Sequence, residues 1–236
     1  MSRTGPCDLP LGVTSEPRMD RLPITAEEVS MQPELLHLFA GRKGHFRLES
    51  GHHGDLWLDL ELLCLRPAEV RPFAAELSQR IAKQNVEVVC GPLNEGAFVA
   101  LMVASELNAL FSYAEPLPPQ DDALYPVKYR IPPALRGQIK GKRVAIVNDV
   151  INAGSAVRGT FFDLKECGAE PAVIGALLVL GSSARNFAME NSVTLESLAA
   201  LPSALWTPAE CPLCAARVPL DDSLAGALDS KEGPLD

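Results

Sequence analysis

The sequence is short of several things, and each shortage narrows what the chain does. Charged residues make up only 22% of its 236 positions, with 21 Lys and Arg against 30 Asp and Glu, a formal net charge of −9. The basic residues are scattered rather than blocked. A nucleic acid rewards a basic face, so this balance argues against one as a partner. It leaves room for a small phosphorylated ligand, which needs only a local pocket of amide donors. Long apolar runs are missing too. Ala97–Ala104 and Ala172–Leu180 fall far short of the ~20 residues a bilayer-spanning helix needs, so no membrane partner is expected. The opening Met1–Thr14 is polar and broken by Pro and Gly, unlike a secretory leader. The six cysteines, Cys7, Cys64, Cys90, Cys167, Cys211 and Cys214, lack a disulfide-framework spacing. These absences together describe a cytoplasmic protein with reduced thiols, and 47% apolar residues are enough for a real core.

What is present is arranged in four stretches. Residues 1–30 are rich in turn formers and predict a loose arm. Residues 31–66 form a small N-terminal unit, with a short helix over Met31–Ala40. His45–Asp59 then alternates apolar and polar residues around a Ser50-Gly51 turn, as two short strands would. Residues 67–190 form an α/β core. Pro67 opens a helix to about Lys83, and from Val86 the rhythm becomes strand, helix, strand. Strands are expected at Val86–Cys90, Leu110–Ala114, Arg143–Asp149 and Ala172–Leu180, and helices at Glu95–Leu107 and Ala156–Cys167. Near-continuous apolar strands separated by helices imply a parallel sheet covered on both faces, a Rossmann-like α/β fold. The segment Glu115–Lys142, with six prolines, reads as a mobile lid with a short strand around Leu124–Arg130. Residues 191–236 form a C-terminal extension that carries a Cys-x-x-Cys pair and an acidic, frayed tail.

The segment Val144-Ala-Ile-Val-Asn148-Asp149-Val150-Ile151-Asn152-Ala153-Gly154-Ser155-Ala156 carries the chemistry. An apolar strand ends in two polar side chains, passes a small-residue turn and enters a helix. A helix N-terminus presents unpaired N–H groups and a partial positive charge, which suits a phosphate. Ala153 and Gly154 keep side chains clear so that backbone can wrap the anion, and Asn152 and Ser155 add donors. Asp149, at the strand's carboxyl end, can accept hydrogen bonds from sugar hydroxyls. The plainer reading is an N-capped helix after an ordinary strand.

This segment resembles the phosphoribosyl-pyrophosphate motif of the type I phosphoribosyltransferase family. Phe46–Asp59, with Leu48, Ser50, Gly51, Trp57 and Asp59, is similar to the hood motif of the orotate phosphoribosyltransferase group. Val89-Cys-Gly-Pro-Leu-Asn-Glu-Gly96 is similar to that group's pyrophosphate loop, and the resemblance covers residues 33–185. It implies the type I phosphoribosyltransferase fold and a reaction in which a nitrogenous base displaces pyrophosphate from ribose C1. Such a reaction gains from positioning and electrostatic support rather than from a protein nucleophile. The resemblance further implies that Asn152, Ala153, Gly154, Ser155 and Ala156 hold the 5-phosphate and that Asn148 and Asp149 face the ribose. Gly91, Pro92, Asn94 and Gly96 face pyrophosphate. Mg²⁺ bridges pyrophosphate and ribose oxygens, needing few protein ligands. By the same resemblance Trp57, Ser50 and Arg185 are expected to meet the base, Lys128 and Arg130 to be the lid cations, and two copies to form a homodimer.

Four departures from the family pattern stand out. Asn148 replaces the first acid of the pair and brings no negative charge. Glu95 stands where a lysine is usual, and Glu115–Lys142 lacks the usual histidine. Ser182 occupies the place of the arginine that holds a carboxylate, with Arg185 one helical turn away. These departures leave the base open, and with it two alternatives: a transferase for a different base, and a non-catalytic nucleotide-binding regulator.

Two smaller signals remain. Cys211-Pro-Leu-Cys214 has the spacing of half a zinc site, yet no second such pair follows, so it reads first as two ordinary thiols and second as part of a structural zinc site completed by distant residues or a partner chain. His52 and His53 lie beside the expected base pocket, as substrate contacts or as exposed turn residues.

Overall fold

The computed structural model describes residues 33–119 and 124–221; the expected arm over residues 1–30, the loop tip and the end of the acidic tail lie outside the described residues. In chain order the elements are α1 (Pro33–Leu36), β1 (Gly41–Arg47), β2 (His53–Leu58), α2 (Pro67–Ile81), β3 (Val88–Pro92) and α3 (Glu95–Leu107). There follow β4 (Leu110–Pro116), β5 (Tyr129–Arg130), α4 (Pro133–Ile139), β6 (Arg143–Ile151) and α5 (Ser155–Glu166). The chain closes with β7 (Glu170–Leu180), α6 (Ser183–Glu190), β8 (Thr194–Leu201), β9 (Leu205–Trp206) and α7 (Pro212–Ala215).

Six strands form the main sheet in the order β5-β4-β3-β6-β7-β8. All neighbours are parallel except the edge strand β5, which runs antiparallel to β4. Alternation along β6 shows why its sequence is apolar on both faces. Ala145 and Val147 pack into a core with α2 and α3, whereas Val144 and Ile146 pack into a second core with α5 and α6. A separate three-stranded sheet, β1-β2-β9, forms the hood, with the C-terminal β9 pairing onto β2.

Three features differ from the sequence expectations. Helix α1 stops at Leu36, and Phe39, which joins Leu35 and Leu36 in the core, lies beyond its end. The main sheet continues past residue 190 into β8, whose mixed sequence TLESLAAL suits an edge strand that packs on one side. The described part of Glu115–Lys142 is largely anchored. The Asp163 carboxylate accepts the Ile131 N–H at 2.8 Å and the Arg136 guanidinium at 3.0 Å, fixing β5 and α4 against α5.

Candidate active site

The carboxyl ends of β3 and β6 are neighbours, and the chain leaves them in opposite directions. Helix α3 leads from β3 to β4, and α5 leads from β6 to β7 on the other side. A reversal of this kind opens the crevice in which open α/β sheets bind ligands. A pocket of about 520 Å³ lies here. Its inner wall is the turn Asn152–Ala156 after β6, with Asn148, and Asn94 and Glu95 at the head of α3. Its outer wall is the hood, which contributes Glu49, Ser50 and Trp57.

The turn is shaped by Gly154, whose φ of +83° places it in the left-handed region that side-chain-bearing residues resist. It delivers the chain into α5 with the first N–H groups of that helix facing the pocket end of the strand. The Ser155 hydroxyl donates to the Glu49 carboxylate at 2.6 Å, and the Tyr129 hydroxyl donates to the same carboxylate at 3.1 Å. A hood carboxylate therefore stands at the positive end of α5. Sequence reasoning missed Glu49; its only cue was its place between Leu48 and Ser50 in the hood segment.

Asn148 and Asp149 part company. Asn148 lines the pocket, donating its amide to the Val150 carbonyl at 2.7 Å, while its oxygen lies against Gly96. Asp149 is not among the lining residues and is 3% exposed. One of its carboxylate oxygens has no hydrogen-bond partner among the described residues. Burial raises its pKa to about 7; the Val150 N–H opposes that shift and the Glu95 charge adds to it.

The β3–α3 turn splits in the same way. Asn94 and Glu95 line the pocket, whereas Gly91, Pro92 and Gly96 are buried beneath it. Gly91 and Gly96 are needed there for space. A Cβ on Gly91 would meet the backbone of α3 at 2.6 Å, and one on Gly96 would meet the Asn148 oxygen at 1.9 Å.

Lys128 and Arg130 line an adjoining cavity of about 600 Å³, together with Arg136 and Arg158, and Ser155 belongs to both cavities. Among the described residues the pocket itself is lined by three carboxylates, Glu49, Glu61 and Glu95, and by no Lys or Arg. Arg185 is exposed on α6 and is not among the lining residues. Ser182, also exposed, precedes α6. His52 is buried, its Nδ1 3.1 Å from the Ser50 hydroxyl and its ring packed on Tyr125. Cys211 and Cys214 sit outside the pocket, beside His45 and His53 of the hood.

Strand order, crevice and turn define a class: the chain has the type I phosphoribosyltransferase fold. It superposes on the adenine phosphoribosyltransferase of Trypanosoma brucei, solved with AMP, pyrophosphate and ribose 5-phosphate, with a TM-score of 0.55 at 16% identity, covering 70% of this chain and 77% of that one. In sequence the chain is orotate phosphoribosyltransferase-like. It is 28% identical over 178 residues to the orotate phosphoribosyltransferase of Caldanaerobacter subterraneus subsp. tengcongensis, covering 75% of this chain and 87% of that protein. It is 29% identical over 178 residues to that of Pelotomaculum thermopropionicum, covering 75% and 86%. No family model matches the chain.

Proposed function

We propose that the chain is a phosphoribosyltransferase that moves ribose 5-phosphate from phosphoribosyl pyrophosphate to a nitrogenous base and releases pyrophosphate. One observation carries the reading. The Asn152–Ala156 turn at the head of α5 lines the same pocket as Asn94 of the β3–α3 turn and Trp57 of the hood. Phosphate, pyrophosphate and base thus have separate walls around one space. The 5-phosphate sits on the α5 N-terminus, displacing the Glu49 carboxylate from Ser155. Asn148 offers its amide to the ribose. Asp149, buried and half-protonated near neutrality, backs this site and becomes a hydroxyl acceptor when ligand or metal favours its ionised form.

The charges on the pocket wall favour a bound cation. Three carboxylates facing a pyrophosphate are repulsive in the low dielectric of a crevice unless positive charge intervenes. An all-oxygen donor set fits Mg²⁺, which would be held through Glu95 of the pocket wall and the ligand's own oxygens. When bound, it neutralises the leaving pyrophosphate. Lys128 and Arg130, in the cavity that meets the pocket at Ser155, are the protein cations nearest that end.

The relatives name orotate as the first base to test. With Arg185 on the surface, a neutral pyrimidine or purine is the competing choice. Phe98 and Leu101, exposed on α3, and Leu62 and Leu65, exposed on the turn between β2 and α2, are apolar side chains that a second copy would cover, and we infer a cytoplasmic homodimer. The test is pyrophosphate release from phosphoribosyl pyrophosphate and Mg²⁺ with orotate, uracil, adenine and guanine in turn. Release that depends on one base establishes the transferase and names its substrate. The carboxylate-lined, arginine-free pocket favours one rival, a regulator that binds phosphoribosyl pyrophosphate without turning it over. Tight binding with no release on any base would decide for that rival.

A further inference from the structure

His45 on β1, His53 on the paired strand β2, and Cys211 and Cys214 at the C-terminal turn come from places far apart in the chain. They nonetheless bring one ligating atom each to within 4.8 Å of all the others. His45 Nε2 lies 3.1 Å from His53 Nδ1, 3.3 Å from Cys211 Sγ and 3.7 Å from Cys214 Sγ. Cys214 Sγ lies 3.3 Å from His53 Nδ1. A tetrahedral zinc ion with two nitrogen and two sulfur ligands has N–N edges of about 3.3 Å and N–S edges of about 3.6 Å, from its Zn–N and Zn–S bond lengths. The four measured separations fall within a few tenths of an ångström of those edges, and the remaining two, His53 to Cys211 and Cys211 to Cys214, are under 4.8 Å.

The surroundings agree. The Val218 carbonyl, which can only accept, lies 2.9 Å from His45 Nδ1. It therefore fixes the ring proton on Nδ1 and leaves Nε2 bare toward the cluster. A backbone carbonyl holding the far nitrogen of an imidazole is the usual outer support of a metal-bound histidine. His45, His53 and Cys211 are buried, at 3%, 6% and 3% exposure, and the exposed Cys214 closes the cluster on its solvent side. The Cys-Pro-Leu-Cys stretch folds back on itself, the Ala215 N–H donating to the Cys211 carbonyl at 3.2 Å, which turns both sulfurs to one side.

We propose that His45, His53, Cys211 and Cys214 bind one structural zinc ion. With all four positions filled by protein, the site has no open coordination place for chemistry. Binding exchanges the two thiol protons for Zn²⁺, so two protons are released and the site is left uncharged. Two thiolates and two imidazoles select zinc over Mg²⁺ or Ca²⁺. Its work is mechanical. It staples residues 211–221 to β1 and β2, where the Asp221 N–H donates to the His45 carbonyl at 2.8 Å and its own carbonyl accepts the Arg47 N–H at 3.1 Å. β2 carries Trp57, so the zinc holds the outer wall of the pocket in place. This proposal does not rest on the transferase reading.

The test is the metal content of untagged full-length protein purified without chelators, together with cobalt substitution of the wild type. We expect about one zinc per chain. Its replacement by Co²⁺ should give the intense visible bands of a tetrahedral site and a sulfur-to-cobalt charge-transfer band. Cys214→Ser should lose most of the zinc, and Cys214→His should keep the zinc while weakening the charge-transfer band of the cobalt form. Removing zinc with a strong chelator should lower the thermal midpoint of the wild type and leave that of Cys214→Ser unmoved. Wild-type protein that contains no zinc and takes up neither Zn²⁺ nor Co²⁺ on titration would overturn the proposal. So would a cobalt spectrum of octahedral form without the sulfur band.

Discussion

The inner wall of the pocket is built from two short local turns, five successive residues after β6 and two more at the head of α3, each set by the strand before it and the helix after it. The outer wall is assembled. β1 and β2 reach it from the N-terminal side, β9 and the Cys211–Asp221 stretch from the other end, and the His45–Val218 hydrogen bond joins residues 173 positions apart. The inner wall takes its shape from backbone geometry and close packing, which tolerate little change. The outer wall depends on long-range pairings with little apolar core of their own, so it is the wall that can loosen while the sheet stays folded.

The largest expected effect that sharpens this comparison belongs to Asp149. Its folded pKa of about 7 lies above the unfolded value. Between about pH 4 and pH 7 the folded state therefore keeps a proton that the unfolded chain has lost, and stability falls as pH rises through this window. Asp149→Asn removes that slope. It should be more stable than the wild type above pH 7 by up to about 4 kcal/mol, with the difference vanishing near pH 4. Urea titrations of both proteins across that range would show it; parallel pH curves would mean Asp149 is not buried as described.

Next in size is Gly91→Ala. Its new Cβ would strike Ala100 and the backbone of α3 at 2.6 Å, and neither can swing aside. Overpacking of this kind should cost about 2–3 kcal/mol in global unfolding. An unchanged urea midpoint would show that α3 sits less tightly on β3 than its geometry requires.

Asp163→Asn probes the anchoring of the proline-rich segment. The substitution keeps the shape and removes the charge that Ile131 and Arg136 share. A loss of about 1–2 kcal/mol is expected, with faster proteolysis confined to residues 115–142. Cleavage spread evenly over the chain would argue against a locally docked segment.

The smallest effect is Glu49→Gln. Removing an anion from the end of α5 should tighten ribose 5-phosphate binding about threefold, in line with the ~0.5–1 kcal/mol an anion gains there. Weaker binding in the calorimeter would mean that Glu49 supports the ligand and does not compete with it.

The difference between the walls also explains what could be read in the sequence. The Val144–Ser155 strand and turn, the bounds of α3 at Glu95 and Leu107, and the β1–β2 hairpin were legible because their signals are local: apolar runs, small-residue turns, alternation about Ser50-Gly51. Helix α4 lay hidden among prolines, and β8 carries too few β-branched residues to announce a strand; docking on α5 decides the first and pairing with β7 the second. The position of Glu49 at Ser155 and of His45 at Cys211 depends on contacts across 106 and 166 residues, for which the chain carries no periodic trace. Motif resemblance put Asp149 and Gly91 in the site by segment, yet which side chain of a strand faces the pocket follows from the pleat. That separated the pocket-lining Asn148 from the buried Asp149.

The central claim is that the Asn152–Ala156 turn holds the 5-phosphate. Calorimetric titration of phosphoribosyl pyrophosphate with Mg²⁺ into the wild type and Ser155→Asp tests it most directly. The account predicts saturable binding to the wild type, with the added carboxylate weakening it by about 100-fold through repulsion at the helix end. Equal affinity in the two proteins would contradict it and move the phosphate elsewhere.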